Sequence, residues 1–273
     1  MKIAINYLGE VINLIKEKKI EIDYIKYPSI SDTNLDEIKD IMTNNNINML
    51  YHGLLLKKYG ITDITSDTFI EDINIDINKE AIKISKTNGI SIHIGQDKID
   101  ASMHTEEELI KIVSKNIQFL KDTFPNLEFY SFENKENTKN KIIMDSNFIS
   151  KCIYLNDCNF LLDISHAAIA SKNIGMDFYE YLDKLPLDKI YEIHLNGWNF
   201  DGENASSHIK ITKEGYDALN YVLQYSNPKI ITIEYGAFLE GKKLSYIKDF
   251  KEKNMTVRNE ILEQISKVKE ICR

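Results

Sequence analysis

Arginine is nearly missing from these 273 residues: of 34 basic side chains, only Arg258 and Arg273 carry a guanidinium. Set against 42 acidic residues, the balance gives a formal net charge of −8, which argues against a protein held on nucleic acid by unspecific charge. Cysteine is scarce as well. Cys152, Cys158 and Cys272 are odd in number and form no CxxC pair, so neither a disulfide framework nor a zinc ribbon is indicated, and the thiols read as reduced. Only 4 prolines and 11 glycines occur, with no Ser/Gly linker, low-complexity tract or repeat, so residues 1–273 read as a single domain. No apolar run approaches the roughly 20 residues of a membrane span, and the opening MKIAINYLGEV lacks the layout of a secretory signal. A cytoplasmic protein with neither membrane nor nucleic acid as partner is expected. GxGxxG, P-loop and GxSxG patterns are absent, so glycine-rich phosphate binding and serine-hydrolase chemistry have no support.

What is present is alternation. Eight β-branched or aromatic runs, at 2–8, 20–27, 47–53, 90–95, 128–134, 160–166, 189–197 and 229–236, are separated by amphipathic stretches at 9–19, 35–44, 78–87, 105–124, 146–157, 176–184 and 213–225. A last long helix is expected at about 242–270. Thr105 with Glu108 has the spacing of a capping box, and Asn88-Gly89 has the composition of a helix end. Eight βα units predict a parallel sheet that closes into a (β/α)8 TIM barrel, with a doubly wound open sheet as the rival. Two connections, 54–77 and 198–212, exceed ordinary loop length. Both follow strands, and loops of that size in a compact domain usually form lids or binding loops.

His52, His93, His166 and His194 each fall at or just beyond the end of an expected strand, and so do Glu133, Asp163 and Glu234. In a barrel all strand ends open on one face, so these seven share one mouth. A lone strand-end histidine is more often a hydrogen-bonded structural residue than a ligand. Three carboxylates at the ends of apolar strands are harder to explain that way, because a buried carboxylate without its partner costs about 3–5 kcal/mol. Arginine cannot supply the partners, and few lysines fall near those strand ends. His208, in the long connection 198–212, adds a fifth imidazole. Histidine and carboxylate without thiolate favour iron, manganese or zinc, and eight donors at four to six per ion suit two or three metal ions. His104 and the run Asp97, Lys98, Asp100 read as solvated; Tyr51, Trp198, Phe200 and Tyr235 read as packing around the mouth.

The stretch LLDISHAAIASKNIGMDFYEYLDKLPLDKIYEIHLNGW (161–198) closely resembles the core motif of the multinuclear non-haem iron-dependent oxidative enzymes, also known as domain of unknown function 692, which include the oxidase of methanobactin biosynthesis. His52 before GLLL, His93 in SIHIG, Glu133-Asn134, His208, and Glu234 in ITIEYG follow the same order, so the resemblance covers roughly 50–236. It implies a xylose-isomerase-like TIM barrel that holds two or three iron ions, mixed Fe(II)/Fe(III), and uses O2 on a ribosomally made precursor peptide, several known members acting at cysteine. It also implies a separate partner protein that presents the peptide, since eight βα units leave no room for a recognition domain. Under it His52, His93, Glu133, Asp163, His166, His194, His208 and Glu234 become iron ligands, with Asn134, Asn196 and Trp198 as candidate substrate contacts. Two positions depart from the family pattern. Ser206 stands where an Asp is usual, leaving Asp201 as a stand-in or one iron weakly bound or lost, and Trp198 stands where many members have His. The competing expectation is a divalent-metal hydrolase or isomerase, like endonuclease IV or the sugar isomerases.

Overall fold

Sequential pairing of parallel strands closes the expected (β/α)8 barrel in the computed structural model, which describes residues 1–28, 35–45, 47–58, 60, 62–95, 104–202, 204–236, 238–239, 242–243 and 254–273. The wall is built from β1 (Lys2–Asn6), β2 (Tyr24–Pro28), β3 (Asn48–His52), β4 (Gly89–His93), β5 (Phe129–Glu133), β6 (Asn159–Asp163) and β7 (Ile190–Leu195). An antiparallel ribbon, β8 (Gly197–Asp201) with β9 (Asn204–Ile209), then interrupts the alternation before β10 (Ile230–Ile233) pairs with both β7 and β1. Wall strands of this kind face side chains on one side and helices on the other, so they read as unbroken apolar runs. Ile3, Ile5, Ile25, Ile193, Ile231 and Ile233 are all buried accordingly.

The outer layer comprises α1 (Gly9–Lys16), α2 (Leu35–Asn45), the short α3 (Phe69–Asp72), α4 (Ile75–Ser85), α5 (Glu106–Thr123), α6 (Ser146–Leu155), α7 (Ile164–Ile174), the short α8 (Phe178–Asp183), α9 (Lys213–Leu223) and α10 (Met255–Ile271). Thr105 caps α5 as its spacing predicts: the hydroxyl accepts from Glu108 N, while the Glu108 carboxylate accepts from Thr105 N at 2.8 Å. α10 closes the ring through Arg258, one of the two arginines, whose guanidinium donates to Glu10 Oε1 at 2.7 Å and to Glu17.

Three local expectations are corrected. α4 ends on Lys86, which takes the left-handed cap at φ 49°, and Gly89 instead opens β4, where a Cβ would meet the Phe129 ring at 2.4 Å. The last helix starts at Met255 and not near 242: β11 (Phe238–Leu239) pairs antiparallel with β12 (Lys242–Lys243), and Lys248, Lys251, Glu252 and Lys253 lie outside the described residues, as do Asp97, Lys98 and Asp100. His166 belongs to the first turn of α7 and not to a strand end. The cause is Asp163, the N-cap, whose Oδ1 accepts from His166 N at 2.8 Å and turns the chain from strand into helix without a loop. The two long connections follow β3 and β7, and so lie on the C-terminal face of the barrel; the first contains α3 and the second is the β8–β9 ribbon.

Candidate metal centre

The eight side chains singled out in the sequence converge into three linked donor groups. His52, His93 and Glu133 form an inner group; Glu133, Asp163, His194 and Glu234 a middle one; Asp163, His166 and His208 an outer one, the donor atoms of each lying within 4.8 Å of one another. Glu133 is shared by the first two groups and Asp163 by the last two. Glu133 is fully buried, with Oε2 at 3.3 Å from both His52 Nε2 and His93 Nε2, and Oε1 at 3.0 Å from His194 Nδ1 and 3.4 Å from His166 Nδ1. Glu234 Oε2 stands 3.2 Å from His194 Nδ1 and from His208 Nε2.

Four of the candidate donors, His166, His52, His194 and Asp163, are aimed from behind. His166 Nδ1 lies 3.0 Å from the carbonyl of Asn134, which can only accept, so Nδ1 carries a proton and Nε2 is the nitrogen turned to the outer group. His52 Nδ1 lies 3.2 Å from Ser91 Oγ, which in turn accepts from Lys26 Nζ at 3.0 Å, so Nε2 is the nitrogen turned to the inner group. His194 presents Nδ1 to the middle group, with Nε2 3.3 Å from Glu192 Oε1. Glu192, buried in β7 two residues before His194 and hence on the same face of the strand, is held by Lys26 Nζ at 2.8 Å and Thr232 Oγ1 at 2.5 Å. Asp163 is fixed by the Ser165 hydroxyl at 2.8 Å and Asn196 Nδ2 at 2.9 Å.

The electrostatics test whether a cation belongs here. Burial pushes His93 down to about 4, against the opposing pull of Glu133, and pushes His52 well below its ordinary value; both are neutral lone-pair donors at pH 7. Burial, with the charges on Glu234 and Glu133, raises the Asp163 carboxyl. Burial would also raise Glu133, but His93, His194 and His52 hold it well below the usual carboxylate range, and His194 is itself held well above its ordinary value by Glu234 and Glu133 against burial. In the buried middle group Glu133 and Glu234 thus lean on the His194 proton for neutrality, while Asp163 is pushed towards its neutral form. Glu133 Oε2, Glu234 Oε2 and His166 Nε2 are buried without a hydrogen-bond partner. Orphaned acceptors of one polarity meeting in one place are what divalent cations satisfy, and imidazole with carboxylate and no thiolate is a donor set for iron, manganese or zinc. The residues fit a metal cluster.

His208 arrives by a strained route. Its backbone is left-handed at φ 64°, secured by His208 N donating to Asn196 Oδ1 at 2.8 Å and by Gly236 N donating to the His208 carbonyl at 2.6 Å. The ribbon irregularity between Gly197 and Asn199 is part of the same arrangement. A Cβ on Gly197 would sit 2.0 Å from the Lys210 carbonyl oxygen, a contact that backbone cannot relieve by a side-chain rotation. Gly197→Ala is therefore expected to cost about 1–3 kcal/mol in chemical denaturation. It should also weaken the ion nearest His208 selectively, as read by metal titration; wild-type affinity for every ion would show that the ribbon does not set His208.

Several expected roles change. Asn134 and Asn196 are fully buried and have their amides engaged: Asn134 exchanges hydrogen bonds with the backbone of Asp163 at 2.8 and 2.9 Å, and Asn196 joins Asp163 to His208. Their hydrogen bonds are committed to the candidate donors Asp163 and His208 and their backbone. Asp201 lies exposed at the end of the β8–β9 ribbon, outside the three donor groups. Trp198 packs edge-on against Phe178, ring centroids 5.8 Å apart, and with Phe200 and Met176 borders a groove of about 540 Å³ beside the ribbon. Phe200 lies under the Lys172 ammonium, Tyr51 and Tyr235 are core, and His104 pairs with Asp67 at 2.8 Å. Sequence reasoning passed over Lys26 and Glu192; their signal was a charge in each of two otherwise apolar strands. It also passed over Glu136, whose Oε2 lies 3.2 Å from His166 Nε2 and for which nothing in the sequence pattern gave a signal.

Comparison with known proteins places this geometry in context. Residues 23–240 match the family model described as RiPP precursor modification enzyme MbnB/TglH/ChrH. A UPF0276 protein of Acinetobacter baylyi is 23% identical over 188 residues, 65% of this chain and 62% of its own. One of Acaryochloris marina is 37% identical over 69 residues, 25% of this chain and 23% of its own. The chain thus spans less than two thirds of the curated relatives it matches. Among solved structures, the IolI protein with a bound zinc atom superposes with a TM-score of 0.65 at 13% identity, covering 99% of this chain and 98% of that one. A D-tagatose 3-epimerase-like protein gives 0.62 at 14%, covering 98% of each, and endonuclease IV from Thermus thermophilus 0.59 at 12%, covering 98% and 100%. At such identities these show the shared xylose-isomerase-like barrel.

Proposed function

Because the chain belongs to the RiPP precursor modification enzyme family MbnB/TglH/ChrH, we propose that it oxidatively modifies a ribosomally synthesised precursor peptide in the cytoplasm, using O2 at a cluster of two or three iron ions. The observation that carries the reading is the linked donor set, in which Glu133 is common to the inner and middle groups and Asp163 to the middle and outer ones, so that each carboxylate would serve two ions. Bound iron supplies redox chemistry with O2, open positions for a substrate thiolate or carboxylate, and Lewis acidity, none of which side chains offer. The protein's own part is positional. Lys26, Glu192 and Ser91 orient His194 and His52 from the barrel interior, Asn134 and Asn196 fix the outer ligands, and the buried walls keep the reacting groups out of bulk water. The groove bordered by Trp198 and Phe178 is an apolar surface for peptide residues flanking the one attacked. A separate protein presents the precursor.

The test is anaerobic isolation, metal analysis and O2 uptake with candidate precursor peptides, sought as short reading frames beside the gene for this chain. Two or three iron ions per chain, with O2 consumed and a mass change in the peptide, are expected. Zinc- or manganese-loaded protein that cleaves abasic DNA or turns over sugars without O2 would replace this reading by the hydrolase or isomerase one. Iron uptake with no O2 consumption would leave a binding protein.

A further inference from the structure

We propose that Glu136 is a ligand of the outer ion, completing the set begun by Asp163, His166 and His208; the proposal rests on the metal reading above. The outer group, like the inner one, has no carboxylate of its own. Its one carboxylate, Asp163, is shared with the middle group, and the two donors it does not share are imidazoles. Ser206, two residues before His208 in β9, adds no anion. An ion of the iron or manganese type takes about four to six ligands, so the group is short of donors and of negative charge.

Glu136 stands beside the open part of that shell. His166 is 1% exposed, its Nδ1 is committed to the Asn134 carbonyl, and its Nε2 has no hydrogen-bond partner, yet Glu136 Oε2 faces that Nε2 at 3.2 Å. With only Nδ1 protonated, the contact sets a lone pair against a carboxylate oxygen. A proton on Nε2, which the charges of Asp163 and Glu136 favour against burial, or a cation that displaces it relieves their repulsion. Two N or O donors that would share one ion at about 2.1 Å would lie about 3.0–3.4 Å apart, a range that includes the 3.2 Å between His166 Nε2 and Glu136 Oε2.

The backbone places Glu136 for this role, because its carbonyl accepts from Asn173 Nδ2 of α7 at 2.9 Å, the helix that also carries His166. Lys135 Nζ lies 2.8 Å from the same Oε2. On ligation the carboxylate closes further on the outer donors, and the flexible lysine stem lets the ammonium follow or withdraw.

The experiment is anaerobic Fe(II) titration with metal counting after gel filtration, on wild-type protein, Glu136→Gln, Glu136→Asp and Lys135→Met, each checked for fold by circular dichroism without metal. Glu136→Gln should bind one ion fewer than wild type, or bind its weakest ion at least tenfold more weakly, with the other ions unchanged. Glu136→Asp should retain that ion at reduced affinity, which keeps the test open if the Gln variant fails to fold, and Lys135→Met should keep the full count. Wild-type count and affinities in Glu136→Gln, or equal loss of all ions, would overturn the assignment. Wild-type protein that takes up no transition metal would instead overturn the proposed function itself.

Discussion

Glu133→Ala should strip the centre of two ions at once, because this one carboxylate belongs to both the inner and the middle donor groups. Without it the inner group is reduced to His52 and His93, two neutral imidazoles with no anion, and the middle group keeps Asp163, His194 and Glu234 but loses the bridge that ties it to the first. Removing a residue that merely orients a ligand typically costs 10–100-fold in metal affinity. Removing a shared ligand should exceed that, so we expect at least ~100-fold weaker binding at the inner group and turnover of the precursor peptide below detection. Glu133→Gln separates charge from shape: it keeps the volume, yet a neutral amide does not balance the cations, so its metal content should resemble the Ala variant's more than the wild type's. The measurement is metal per chain after anaerobic loading, followed by peptide mass analysis. A Glu133→Ala protein that still holds the wild-type number of ions would show that the imidazoles suffice and that the bridging geometry is incidental.

The sequence made this centre legible because barrel topology converts position along a strand into position in space. His52, His93, Glu133, Asp163, His194 and Glu234 could be placed at one mouth from strand ends alone, since parallel strands in a closed barrel all point the same way. His208 was reached through loop length only. Nothing in the pattern announced that its backbone would be left-handed and pinned by Asn196 and Gly236, which is a tertiary matter. Asn134 and Asn196 show what burial adds to the sequence pattern. Polar residues next to ligands suggested contact with a substrate, but complete burial obliges each amide to find partners, and the nearest are the ligands themselves. The helix boundary at Lys86 was misjudged because Asn-Gly composition is a weaker signal than the packing of Gly89 against Phe129, which commits that glycine to the strand. Lys26 and Glu192 were legible in principle, since a charge in an apolar strand needs a counter-charge, but no spacing rule links residues 166 positions apart.

That pair yields the second large effect. Lys26 is 2% exposed and Glu192 fully buried, and in the barrel interior each is the other's counter-charge at 2.8 Å. Burial alone would raise the Glu192 carboxyl, but Lys26 and His194 bring it down to about 2. Lys26→Met leaves that anion without its cation and should destabilise the metal-free protein by about 3–5 kcal/mol in denaturant unfolding. Replacing both partners, Lys26→Met with Glu192→Leu, removes the charge that needed pairing, and stability should return to near the wild-type value or above it, as apolar replacement of buried ion pairs often does. Metal binding should not return with it. The double variant leaves His194 Nε2 without the Glu192 oxygen at 3.3 Å and deprives Ser91, behind His52, of its lysine, so both imidazoles lose the contacts that select which nitrogen faces the ions. Affinity at the inner and middle groups should therefore stay about 10–100-fold below wild type in Fe(II) titrations. Stability recovered while affinity remains lost identifies the Lys26–Glu192 pair as a device for orienting ligands; a double variant that binds iron as tightly as wild type would reduce it to an internal ion pair with no bearing on the centre.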